Sequence, residues 1–254
     1  MGTVVTIDIY THDDVPGDET YSQLDRARAI LQRADRVFST WKANSPISRL
    51  RRGEITPEQA PSEVAEVLER CAAAREISGG WFDPWAMPGG VDPTGYVKGW
   101  AAQRALGALV SDRHCGAIVN AAGDIASLGC TEDAQPFWIG IVDPFSRSRL
   151  ACVVELAGAV ATSGTYERGD HLIDPYSGWP TARVASASVS GPDLGLADAL
   201  ATAVAVAGEA GLAFVERLEG YEALVIGWDG TLRWTERFPF ALPAEFAQRE
   251  AATE

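Results

Sequence analysis

Four stretches of this 254-residue chain combine residue types that local structure alone does not require. Asp92-Pro93-Thr94-Gly95-Tyr96-Val97-Lys98-Gly99 offers a carboxylate, a glycine that admits close approach to the backbone, and one lysine. Asp-Pro is a good helix opening, because aspartate caps and proline suits the first turn. A lysine near a helix start opposes the helix dipole, so a phosphate or a carboxylate nearby is expected to favour it there. A capped helix with a solvent-facing lysine is the other reading. The glycine spacing matches neither a P-loop nor a dinucleotide fingerprint. Asn120-Ala121-Ala122-Gly123-Asp124 is either a surface of small residues on which a ligand lies or a tight turn. Thr162-Ser163-Gly164-Thr165 supplies hydroxyls at a strand end, and His171 follows as a candidate base or a structural hydrogen-bonder. Ser163 is not in a GxSxG elbow, which argues against a serine hydrolase. In Ala197-Asp198-Ala199-Leu200-Ala201-Thr202, Asp198 and Thr202 are one helical turn apart and share a face. A carboxylate and a hydroxyl flanked by alanines could form part of a hard-cation site such as Mg2+ prefers, or simply be a helix residue and a back-bonded threonine.

The elements that would position these residues follow from the hydrophobic pattern. Thr3 to Tyr10 alternates like a strand, and Leu24, Ala27, Leu31, Ala34 and Phe38 mark one helical stripe. Helices are predicted from about Ser62 to Ile77, stopped by Gly79-Gly80, from Tyr96 to Val110, from Leu196 to Ala207 and from Gly211 to Leu218. Strands are predicted at Ala117 to Asn120, Phe137 to Val142, Cys152 to Leu156, Ala159 to Ala161 and Arg183 to Ser190. Asp229-Gly230 sits between Glu222–Trp228 and Leu232–Trp234 as a hairpin turn. The tail after Pro243 is expected to be a short helix or a frayed end. Helices and strands lack a regular βαβ rhythm, so the expected class is α+β, one domain over residues 1–254 with a mixed sheet and flanking helices.

Hydrophobic residues make up 46% of the chain, enough for a sizeable core, and the net charge is −14. That charge argues against nucleic acid or an anionic membrane as a partner. It leaves room for an anionic small ligand held by a metal or a local lysine. Cys71, Cys115, Cys130 and Cys152 are scattered without a CxxC or Cys/His cluster, which argues against zinc and for buried free thiols. No apolar run reaches the ~18 residues of a membrane span. With no signal peptide in the chain as it stands, it reads as cytoplasmic, or as exported if the sequence has been trimmed.

Taken in order, these motifs resemble the ApbE family, the FAD:protein FMN transferases. The resemblance extends over Met1-Gly2-Thr3, Phe38-Ser39-Thr40-Trp41, Ser45 to Leu50, Ser78-Gly79-Gly80-Trp81-Phe82-Asp83-Pro84, Asp92 to Gly99, Asn120 to Asp124, Thr162 to Gly178 and Ala197 to Thr202. It implies an ApbE-like, T-fold-like domain that moves FMN from FAD to a threonine or serine hydroxyl of a target protein, with Mg2+, releasing AMP. By position, Asp92 and Lys98 would contact FAD. The Gly95 carbonyl, Asp198 and Thr202 would hold Mg2+. His171 would lie near the phosphates or act as base, and His171 and Lys98 are the candidate catalytic pair. Thr3, Trp41, Trp81, Phe82 and Asp83 would line the flavin or adenine pocket. Trp41 stands where the family usually has tyrosine, and Ala122 where it has glycine. Two other functions would use the same residues: FAD hydrolysis to FMN and AMP, and FAD binding without turnover. Retention of His171, Asp198 and Thr202 disfavours the second, because a carrier needs neither a base nor a metal.

Overall fold

The computed structural model describes residues 3–11, 17–111, 114–164, 172–181 and 183–241. Its framework is a seven-stranded sheet built from β1 (Val5–Thr11), β2 (His114–Ala121), β3 (Asp124–Gly129), β6 (Ala159–Gly164), β7 (Ser186–Gly191), β8 (Glu222–Ile226) and β9 (Leu232–Trp234), hydrogen-bonded in that order. Pairing is antiparallel throughout the described strands. The two strands missing from the order, β4 (Phe137–Asp143) and β5 (Ser146–Leu156), pair with each other as a separate hairpin. The α+β class expected from the sequence is the class found.

Alternation along each strand divides the core into two layers. Ala117, Val119, Ala121, Ala126, Ala159, Ala161, Ala187 and Val189 face the helices, while Ile118, Ile125, Val160 and Leu224 face the β4–β5 hairpin and Phe238. The helical layer comprises α1 (Asp18–Phe38), α2 (Pro46–Arg51), α3 (Ser62–Ile77), α4 (Thr94–Gly107), α5 (Leu194–Ala207) and the short α6 (Leu212–Val215). Alanine dominates both sides of the sheet–helix contact, so α5 lies close to the sheet; Ala197, Ala199, Ala201, Ala203 and Ala205 are all fully buried. Leu194–Val215 is apolar and long enough to cross a membrane by composition, but 72% of its apolar window is buried inside the protein. Its main part, α5, is the central core helix.

Local chemistry explains where the elements begin. α4 starts at Thr94 rather than Tyr96, because Asp92 Oδ1 accepts the Thr94 N–H at 3.0 Å and the Pro93 carbonyl accepts from Tyr96 and Val97. α5 starts at Leu194, two residues earlier than its apolar run, because Asp193 accepts the Leu196 N–H at 2.8 Å. The short α2 is capped by Ser45, with Pro46 in its first turn. β5 is longer than predicted because Ser146 to Ala151 lack an apolar alternation yet pair with β4 across register shifts. The helix expected from Gly211 shortens to a 3₁₀ turn and α6. Cys71 is buried as expected, whereas Cys115, Cys130 and Cys152 are only partly so. The tail after Pro243 lies outside the described residues.

Candidate active site

A cleft of about 890 Å³, counting its open mouth, lies where the start of α4, one face of α5, the end of β6 and the segment Trp81 to Met87 converge. Each wall has a local reason for its shape. Gly79 and Gly80 take positive φ, which ends α3 and turns the chain so that Trp81 and Phe82 enter the cleft wall. Asp83 fixes the next turn: one oxygen accepts the Trp85 and Ala86 N–H groups, and the other accepts from Arg75 Nε at 2.6 Å. Trp81 meets Tyr176 edge-on at 4.8 Å, and the Arg183 guanidinium lies 4.8 Å from its ring centre. Arg51 ties the far rim. It pairs with Asp92 at 2.9 Å and donates to the carbonyls of Pro88 and Gly89.

α4 and α5 cross in near contact at the cleft floor. A Cβ added to Gly99 would lie 2.3 Å from the Leu194 carbonyl oxygen. This proximity lets Asp198 on α5 accept the Gly99 N–H of α4 at 3.1 Å. Gly95 itself packs under Phe82 and close to Thr202, whose Oγ1 lies 3.6 Å from where a Gly95 Cβ would stand. Thr202 Oγ1 is also 3.3 Å from Ser163 Oγ on β6.

Lys98 points inward. Its ammonium pairs with Asp124 and lies 4.0 Å from Asp198 Oδ1. Of the two readings of this lysine, a neighbouring carboxylate is the one realised. Asp124 is 0% exposed and its other oxygen accepts the Thr162 N–H at 3.2 Å. Burial, with the Asp124 carboxylate second, pushes the Asp198 carboxyl well above the usual carboxylate range, opposed by Lys98 and the Gly99 N–H. Burial also pushes the nearby Cys71 thiol up, so it is not a poised nucleophile.

The structure therefore brings Trp81, Phe82, Asp83, Asp92, Gly95, Lys98, Asp198 and Thr202 to one cleft. Thr3 and Trp41 are not among its lining residues. Trp41 is 95% exposed on the loop that Ser45 and Ser48 fasten to the Ser39 carbonyl. His171 lies outside the described residues; Leu172 and Ile173, which follow it, line the cleft. Asp124 is the residue that sequence reasoning left out of the site. The Asn120–Asp124 motif was visible, but only the β2–β3 hairpin turns its last residue toward Lys98. Asn120 braces that hairpin by accepting the Gly123 N–H at 2.8 Å.

Asp198, Thr202 and the backbone at Gly95 offer only oxygen donors, and no group of three His, Cys, Asp or Glu clusters among the described residues. A carboxylate, a hydroxyl and a carbonyl with places left for water suit a hard divalent cation such as Mg2+ and do not suit zinc. The same cleft carries an ammonium for an anion and aromatic walls for a flat ring.

Comparison with known proteins places this architecture. The chain is 33% identical over 171 residues to the FAD:protein FMN transferase of Rhodobacter capsulatus, a match that covers 63% of this chain and 31% of that protein. Among solved structures, the flavin transferase ApbE from Vibrio cholerae superposes with a TM-score of 0.78 at 21% identity, covering 92% of this chain and 94% of that one. The ApbE protein of Thermotoga maritima gives 0.76 at 22% identity, with 92% and 97% covered. Pseudomonas stutzeri flavinyl transferase ApbE in its apo form gives 0.75 at 23%, with 91% of each chain covered. These three share the fold. The family model described as the ApbE family matches residues 1–89 and 88–225, nearly the whole described fold, and the chain belongs to that family.

Proposed function

We propose that this protein transfers FMN from FAD to a serine or threonine hydroxyl of an acceptor protein. The acceptor oxygen forms a bond to the phosphorus on the FMN side of the diphosphate, the bridging P–O bond breaks, AMP leaves, and FMN remains as a phosphoester. The observation that carries this reading is the convergence of Lys98, Asp198, Thr202 and Gly95 at the crossing of α4 and α5, beneath an aromatic wall. The named activity of the Rhodobacter capsulatus relative supports it.

Each residue has a task that its surroundings permit. Lys98 offers its charge to the diphosphate, and Trp81 and Phe82 give apolar faces to flat rings. Asp198, Thr202 and the Gly95 carbonyl would hold Mg2+. When bound, Mg2+ neutralises charge on the diphosphate and on the departing AMP. Asp92, tied to Arg51, keeps the mouth of the cleft and the start of α4 in register. His171 is the proposed base that takes the acceptor hydroxyl proton.

The test is mass spectrometry of an acceptor domain that an ApbE-family relative flavinylates, incubated with this protein, FAD and Mg2+ beside an Asp198→Ala control. A mass gain equal to FMN, absent from the control, supports the transferase. AMP and free FMN with no mass gain would replace transfer by FAD hydrolysis. Intact FAD throughout would leave a carrier.

A further inference from the structure

Two buried carboxylates face one ammonium at the floor of the cleft. They come from three separate elements: Asp124 from β3, Lys98 from α4 and Asp198 from α5. The Asp124 and Asp198 side chains are 0% and 4% exposed, and that of Lys98 is 16%. Each carboxylate has one oxygen fixed by a backbone N–H, Thr162 for Asp124 and Gly99 for Asp198, and the other turned toward Lys98. Such a pair of acids is costly to bury without a counter-charge. Lys98 supplies it, bound closely by Asp124 and more distantly by Asp198. Asp198 is also the only carboxylate in the oxygen set that suits a divalent cation. The ammonium and a cation therefore compete for the same group.

We infer that Lys98 is a resident counter-ion at the cation position, tethered by Asp124, and that a divalent cation binds by displacing the ammonium from Asp198. In this arrangement Asp124 is a positioning residue. It keeps Lys98 inside the cleft after the cation has taken Asp198, so the ammonium remains available to an anionic ligand. This inference rests on the cation placement proposed above and adds a role for Lys98 and Asp124 that does not depend on turnover.

The experiment is isothermal titration of Mg2+ into the whole chain without FAD, at one fixed pH, for wild type, Lys98→Met, Lys98→Arg and Asp124→Asn. Removing a unit charge from a buried site is expected to change cation affinity about tenfold or more. Lys98→Met is expected to bind Mg2+ at least about tenfold more tightly, and Lys98→Arg to return affinity toward wild type. Asp124→Asn, which removes the nearer of the two carboxylates from Lys98, is expected to bind about tenfold more weakly. Opposite signs in these two variants are what displacement requires. Wild-type binding that Lys98→Met leaves unchanged or weakens overturns the counter-ion role alone. Absence of Mg2+ binding in every variant overturns it together with the cation placement. Should Lys98→Met not fold, the nearly isosteric Asp124→Asn decides: unchanged or tighter binding there overturns the inference.

Discussion

Ala122 stands at φ 52° in the turn between β2 and β3, beside Gly123 at φ 93°. Ala121 pairs with Asp124 across this two-residue turn, and tight hairpins of that length demand positive φ at both central positions. An L-residue held there carries roughly 1–2 kcal/mol of strain from its own Cβ. Ala122 is exposed and absent from the cleft lining, so its methyl gains no packing there in return. Replacing Ala122 with glycine removes the strain but gives the unfolded chain about 0.4–1 kcal/mol of extra freedom. The net expectation is stabilisation by about 0.5–1 kcal/mol, or about 1–4 °C in Tm for a chain of this size. Urea unfolding should show a higher midpoint with an unchanged slope, beside Gly123→Ala as a control that loses stability. A neutral or destabilised Ala122→Gly protein would refute the strain assigned to this turn. The effect matters for the site because the same turn delivers Asp124 to Lys98.

Three further outcomes follow from the geometry. Gly99→Ala places a methyl against the Leu194 carbonyl and should cost about 1–3 kcal/mol by forcing α4 and α5 apart, read as a lower Tm with weaker Mg2+ binding. Arg51→Met removes the half-buried pair with Asp92 and the clamps on Pro88 and Gly89; a loss of about 2 kcal/mol in denaturant unfolding is expected, and an unchanged midpoint would rule the clamp out. The raised carboxyl of Asp198 binds its proton more tightly in the fold than in the unfolded chain. Cation-free stability should therefore be fullest below the unfolded carboxyl value of about 4 and fall as pH rises through the folded value. Mg2+ affinity should rise over the same window, because the proton must leave; calorimetry at several pH values checks both signs.

Much of the site was legible in the sequence because its chemistry is written locally. Asp198 and Thr202 share a helix face by spacing alone, Asp92 caps the helix that carries Lys98, and the glycines before Trp81 stop α3 where a turn is needed. Ser62 to Ile77 could be bounded to the residue because both its start and its glycine stop are local signals. Elements whose ends depend on partners were harder to read. β5 runs beyond its apolar segment because β4 supplies the missing hydrogen bonds, and the six residues of α2 carry too little periodicity to identify a helix. Trp41 shows the reverse case, an aromatic residue of the right type that the fold leaves in solvent.

What the sequence by itself determined is the inventory: the α+β class, the oxygen-donor pair on α5, the capped lysine helix and the aromatic turn, since propensity, capping and period act over a few residues. What only the tertiary structure decided is who meets whom. Asp124 becomes a site residue because an antiparallel hairpin aims it at Lys98, and Asp198 reaches α4 because Gly99 and the alanine-rich face of α5 allow the two helices to touch. Such meetings join residues 26 to 100 positions apart, and their energy comes from burial and paired charge, which exist only once the chain has closed around them.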